Sequence, residues 1–94
     1  MITETSKKRK QYVCISFFVN RGISIPVTFD PGTMTVQRLH DIFGINYADY
    51  KDENGNFLMM SIFNMINDII NIDGVNLVGV SEDSDSLRYH FVIE

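Results

Sequence analysis

The sequence predicts an α+β fold: a two-layer sandwich in which a four-stranded, mainly antiparallel sheet carries two helices on one face, in the order β-β-α-α-β-β. Three observations lead to this. Residues 11–29 alternate apolar and polar positions around a glycine-bearing turn, residues 75–93 do so around an acid-serine turn, and the stretch between them carries two segments with helical spacing. Two hairpins flanking two helices close most economically as one sheet with one helical layer.

The first hairpin joins QYVCISFFV to ISIPVTF through Asn20-Arg21-Gly22. Val13, Ile15, Phe17 and Val19 share one face with Ile23, Ile25, Val27 and Phe29, and a three-residue turn with glycine in the left-handed position would set Val19 opposite Ile23. That register also pairs Phe17 with Ile25, Ile15 with Val27 and Val13 with Phe29. Pro26 cannot donate to a ladder, so Ile23–Phe29 is expected at a sheet edge with Gln11–Val19 paired on both sides.

Asp30-Pro31-Gly32 ends the strand, and Thr33 and Thr35 offer capping hydroxyls. Val36, Leu39, His40 and Phe43 then recur at i, i+3, i+4 and i+7, with Gly44 placed to terminate a helix of about ten residues. His40 is expected on or beside the buried stripe. Residues 45–56 form the main loop. Phe57–Asn71 is a second, strongly apolar helix, capped by Asn56 or Ser61, whose methionines Met59, Met60 and Met65 are expected in the core. In the last hairpin, setting Ser81 against Leu87 pairs Gly79 with Tyr89, Leu77 with Phe91 and Val75 with Ile93. Asn76, Val78, Val80, Arg88, His90 and Val92 then share a mixed opposite face.

The opening hairpin, followed by a helix after the Asp-Pro-Gly break, resembles the start of a ubiquitin-like β-grasp. The resemblance covers the first half of the chain and is one of shape, and it stands as the alternative fold.

Ninety-four residues, 45% apolar and 21% charged, suit one domain with a single core. Residues 1–10 read as a flexible basic arm and residues 11–94 as a single α+β domain. The arm holds Lys7, Lys8, Arg9 and Lys10, half of all the basic residues, so the net charge of −4 divides into a basic arm and a body of −7 from four basic and eleven acidic residues. No apolar run is long enough to span a membrane. The single cysteine, Cys14, excludes an internal disulfide and suits a reducing, cytoplasmic setting.

Chemistry-bearing motifs are absent from the sequence. There is no Gly-rich phosphate loop, zinc spacing, nucleophile elbow or neighbouring Cys-His pair, so neither cofactor nor metal nor catalytic residues are expected. The acid-rich loop fails as a calcium site, because with Gly55 sixth the first and twelfth ligand positions fall on Tyr50 and Ser61. Cys14 lies on the face opposite the main apolar row and reads as a structural thiol.

The sequence therefore favours a non-enzymatic protein–protein interaction module, an adaptor or inhibitor of the kind that phages and mobile elements often encode. Its expected contacts are the acidic-aromatic loop residues Tyr47, Asp49, Tyr50, Asp52 and Glu53, and the outer hairpin positions Val78, Val80, Arg88 and His90. Three alternatives stay open. Lys7–Lys10 would bind nucleic acid weakly and salt-sensitively, or the acids of the loop and of Glu82, Asp83 and Asp85 would mimic nucleic-acid phosphates toward a protein, provided both acidic loops share one surface. A homodimer or self-assembling structural component is the third.

Overall fold

The computed structural model of the protein describes residues 10–20 and 27–94. Strands β1 (Gln11–Val19), β2 (Phe29–Pro31), β3 (Val75–Glu82) and β4 (Ser86–Ile93) form one antiparallel sheet in the order β2-β1-β4-β3. Helices α1 (Thr33–Phe43) and α2 (Met59–Ile70) lie between the hairpins in sequence. Both helices pack on the same face of the sheet: Leu39 and Phe43 of α1 and Ile62, Met65, Ile66 and Ile69 of α2 join Val13, Ile15, Phe17, Tyr89 and Phe91 in one buried cluster. Aromatic rings knit that cluster, Phe17 stacking on Phe57 at 5.7 Å and Phe43 meeting Phe91 edge-on at 5.7 Å.

The first hairpin departs from its expected register by six residues. Val19 faces Phe29, Phe18 faces Asp30 and Phe17 faces Pro31, so only the last third of β1 pairs with β2. Val13 and Ile15 face Phe91 and Tyr89 of β4 instead of Phe29 and Val27. The expected pairings of Ile23 and Ile25, with Arg21 and Gly22 of the turn, lie outside the described residues. A slip by an even number of residues keeps every side chain on its original face, and Phe29 stays buried, so alternation alone cannot select between these registers.

Among the described residues no strand pairs with the Gln11–Ser16 edge of β1, and α1 serves that edge with side chains. Ser16 N–H donates to Thr35 Oγ1 at 3.0 Å, and Thr35 Oγ1 donates back to the Ser16 carbonyl at 3.1 Å. Arg38 Nη1 donates to the Cys14 carbonyl at 2.8 Å. The buried stripe of α1 is accordingly Thr35, Leu39 and Phe43; Val36 and His40 are exposed. Neither Thr33 nor Thr35 caps the helix, whose N-cap is Gly32, because Thr35 is engaged by the strand. Gly44 ends α1 at φ +68°, as expected.

A 3-10 turn over Tyr47–Tyr50 interrupts the main loop. The second helix begins two residues later than the sequence suggests, at Met59, where Leu58 N–H donates to Ser61 Oγ at 3.0 Å. In the last hairpin Val75 faces Ile93 and Leu77 faces Phe91 as expected, but a bulge follows and Gly79 faces His90, Val80 faces Tyr89 and Ser81 faces Arg88. Val78 is the extra residue.

Candidate interaction surface

The bulge in β3 decides where the exposed side chains of the second hairpin point. Had the ladder continued evenly, Val80 would share the helix-free face with Arg88 and His90. One added residue puts it instead opposite Tyr89, whose ring is in the core, and so on the helix side of the sheet. Glu82 moves with it: its carboxylate and burial together push the Tyr89 phenol upward, burial being the larger cause. Val80 is nonetheless 53% exposed and Leu77 38%, because α2 covers β3 only in part, burying Val75. A four-stranded sheet is about 19 Å wide and two helices side by side cover about 20 Å only when centred. Here α1 is drawn outward to the β1 edge by Thr35 and Arg38, leaving β3 half bare.

The adjacent helix is bare on one side too. Met59, Phe63, Ile66 and Ile70 recur at i, i+4, i+7 and i+11, the spacing of a helix–helix seam. Of these Ile66 is buried, whereas Met59, Phe63 and Ile70 are 37%, 51% and 42% exposed. The expectation that Met59 and Met60 belong to the core fails; Met65 alone of the three is buried. Thus α2 carries two apolar stripes, one on Ile62, Met65 and Ile69 in the core and one facing outward. Around the helix, at ~100° per residue, the outward stripe lies nearly opposite Asp68. Asp68 is where the loop docks: Tyr50 OH donates to its Oδ2 at 2.5 Å. The stripe therefore lies on the side of α2 turned away from the loop, and α2 packs against β3.

Two features keep the exposed strand edges from acting as templates for further strands. On β1, the side chains of Thr35 and Arg38 occupy groups that a new strand would need. On β3, the Glu94 N–H bond to the Gly74 carbonyl sets the ladder parity, so that Leu77 and Val80 direct their own N–H and C=O outward. The bulge between them breaks the even spacing that an added strand requires. The open surface is one of apolar side chains.

Charge along this stretch of the chain has a single sign. From Asp52 to Leu87 the chain contains no lysine, arginine or histidine, and seven carboxylates: Asp52, Glu53, Asp68, Asp73, Glu82, Asp83 and Asp85. Of these, Asp73 and Glu82 lie at the two ends of β3, whereas Asp52, Glu53 and Asp68 lie on the loop side of α2.

The other expected contact residues are divided among three places. Tyr47 is half buried edge-on against Phe57 at 5.5 Å, with Lys51 Nζ 5.4 Å from the centre of its ring. Tyr50, also half buried, has its phenol raised to about 12, chiefly because its proton is held by Asp68. Asp49 and Glu53 are exposed, and Asp52 Oδ1 accepts from the N–H groups of Asn54 and Asn56, anchoring the turn. The tyrosines thus bind the loop to the body. On the helix-free face, His90 Nε2 lies 2.7 Å from Ser81 Oγ, and Arg88 Nη1 lies 3.8 Å from Asp83 Oδ2. Val78 projects from the bulge, 57% exposed. Lys10 is exposed at the start of β1; Lys7, Lys8 and Arg9 lie outside the described residues.

The two acidic loops reach the same end of the sheet. Val19 N–H donates to the Asp85 carbonyl, Val19 faces Phe29, and Phe29 N–H donates to the Phe57 carbonyl immediately after the Asp52–Asn56 turn. An open hollow of about 500 Å³ lies elsewhere, beside α1, lined by Pro31, Thr33, Gln37, His40, Asp41 and Tyr47 among others. Its His40 Nδ1 and Asp41 Oδ1 sit 3.0 Å apart, both well exposed, so the pair lacks the water-excluding surroundings that strengthen catalytic electrostatics. Among the described residues no group of His, Cys, Asp and Glu side chains could hold a metal ion, and no helix is long and apolar enough to cross a membrane.

Comparison with known protein families, characterised proteins and solved structures gives no match.

Proposed function

We propose that the chain is a non-enzymatic protein–protein interaction module, working as an adaptor or inhibitor, and that its contact surface is the outward stripe of α2 together with the uncovered side of β3. One observation carries this reading. Among the described residues both open strand edges are guarded against pairing, yet apolar side chains of the adjoining α2 and β3, Met59, Phe63, Ile70, Leu77 and Val80, are left half exposed. Residues kept bare by the geometry of α1 and by a bulge are disposed for side-chain packing with a partner, and clustered apolar exposure of this kind marks interaction sites. Val78 and Val80 of the expected contact set belong to this surface or border it.

The test is affinity capture from the native cell with the immobilised full chain, run beside a Phe63→Gln/Val80→Gln double variant and a Tyr12→Ser control on the helix-free face, where Tyr12 is 79% exposed. The reading expects a stoichiometric protein retained by the parent and the control and lost from the double variant. Identical captured sets for all three would overturn it.

A second reading is favoured by a separate observation, the convergence of the Asp52–Asn56 turn and the Asp83–Asp85 tip on one end of the sheet. Under phosphate mimicry these acids would occupy the groove of a nucleic-acid-binding protein. Competition of the captured partner by double-stranded DNA, and its loss on replacing Asp49, Glu53 and Glu82 by Asn or Gln, distinguish this reading from the first. Nucleic-acid binding through Lys7–Lys10 is tested by deleting residues 1–10; unchanged retention on DNA or RNA would exclude it.

A further inference from the structure

Resting on the interaction-module reading, we infer that the occupant of the α2–β3 surface is a basic amphipathic helix of a partner protein, laid beside α2 over Leu77 and Val80. Three observations specify that chemistry. The first is the spacing of Met59, Phe63, Ile66 and Ile70 at i, i+4, i+7 and i+11, which presents a seam for another helix. The second is the broken outward ladder of β3, which disfavours an extended peptide, since strand addition draws its affinity from an even series of main-chain bonds. The third is charge: Asp73 in the turn from α2 to β3 and Glu82, opposite Leu87 at the other end of β3, stand at the two ends of the floor, and the chain carries no basic residue from Asp52 to Leu87. A second copy of the chain would set these acids against one another, whereas a helix with lysines or arginines flanking its apolar face would find complementary charge at both ends of the floor.

The dimensions agree. The floor is the part of β3 that no helix of this chain covers, and the wall is the outward stripe of α2. The exposed stretch from Leu77 to Glu82 extends ~20 Å, the length of a helix of about 13 residues, which an 18-residue peptide spans with a turn to spare. Methionine at the N-terminal end of the stripe supplies a deformable wall that accepts different apolar shapes. The partner helix thus completes, from outside, the helical layer that α1 leaves incomplete by moving to the β1 edge.

The probe is a fluorescently labelled synthetic peptide of about 18 residues, leucine on one helical face and lysine on the other. Two companions are used: one with glutamate in place of every lysine, and one with the first peptide's composition in scrambled order. Fluorescence anisotropy with the full chain should show binding of the first peptide, with both companions weaker by about tenfold or more. A Phe63→Gln/Ile70→Gln variant should weaken the first peptide by a similar factor, and Tyr12→Ser should leave it unchanged. Equal affinity for the lysine and glutamate peptides would overturn the charge argument. Equal affinity for the amphipathic and scrambled lysine peptides would overturn the helix. Light scattering that finds a dimer dissociated by Phe63→Gln would assign the surface to a second copy. If no peptide binds while capture of the native partner still depends on Phe63 and Val80, the basic helix is overturned and the interaction surface stands.

Discussion

Replacing Thr35 by valine isolates the device that closes the open edge of β1. The two side chains have nearly the same shape and similar helix propensity, so packing and the intrinsic stability of α1 are almost unchanged. What is lost is a hydroxyl, 2% exposed as part of its residue, that accepts from Ser16 N–H at 3.0 Å and donates to the Ser16 carbonyl at 3.1 Å. Each bond contributes about 0.5–1.5 kcal/mol net, and an orphaned backbone group in a dry site costs about 1–3 kcal/mol. Ser16 is half buried, so each orphan belongs at the low end of that range and the pair costs about 2 kcal/mol. In a domain of this size that corresponds to a fall in Tm of about 8–16 °C. In urea, the midpoint should fall by about 1–2 M with the slope unchanged. Thr35→Ser supplies the control. It keeps the hydroxyl and removes one methyl, costing about 0.8 kcal/mol, so it should fall between the parent and the valine variant. Amide exchange at Ser16 should accelerate in the valine variant alone. A valine variant as stable as the parent, with Ser16 still protected, would refute the idea that α1 is positioned by the strand edge.

Three further outcomes follow from the geometry. Tyr50→Phe removes the bond to Asp68 and should cost about 0.5–1 kcal/mol at this solvent-exposed site. In the parent, the Tyr50 phenol is raised from 10.0 to about 12, so its contribution is complete below pH 10 and is lost as pH climbs through 10 to 12; ultraviolet titration of the variant should lose one late-titrating tyrosine and keep the other, Tyr89. Asp83 is held below the usual carboxylate range, first by the Asp85 N–H and then by the Ser86 N–H and hydroxyl. Its contribution is present above its unfolded pKa and lost as pH falls through the lower folded value, so Asp83→Ala should flatten the acid limb of the stability profile, measured by unfolding at a series of pH values. Gly74→Ala should destabilise more than Gly44→Ala, as read by thermal unfolding. Both glycines have positive φ, but a Cβ at Gly74 would lie 3.0 Å from the Glu94 carbonyl oxygen, whereas Gly44 has open space.

Much of the architecture was legible in local chemistry. Phe17, Tyr89 and Phe91 stand at alternating positions that must share a face, Gly44 ends a helix because a left-handed residue is required there, and Gly74 serves the turn into β3. The contact surface was legible only in part. Its Val78 and Val80 can be picked out as exposed apolar residues of the last hairpin, but Met59 of the outward stripe reads as core and Phe63 and Ile70 go unmarked, because an apolar residue at helical spacing carries no sign of which neighbour covers it. The signal that could have separated the stripes is their number: α2 has more apolar residues around its circumference than a helix on one sheet face can bury. Tyr47 and Tyr50 illustrate the converse, interface-like residues that the structure turns inward to hold their own loop.

Local pattern is enough for element type and order and for the face of each strand residue outside the bulged half of β3, since these follow from periods of two and 3.6 and from residues with restricted backbones. Tertiary structure alone decided register, the placement of α1, and consequently which apolar residues stay uncovered. A six-residue slip of the first hairpin preserves every face and so leaves no trace in the pattern; its consequence, a bare strand edge, is met by Thr35 and Arg38 from a distant helix. A one-residue bulge does the opposite, transferring Val80 from one face to the other, and it depends on which pairing satisfies the whole ladder. Both are settled by long-range hydrogen bonding and packing, which no local window of sequence contains.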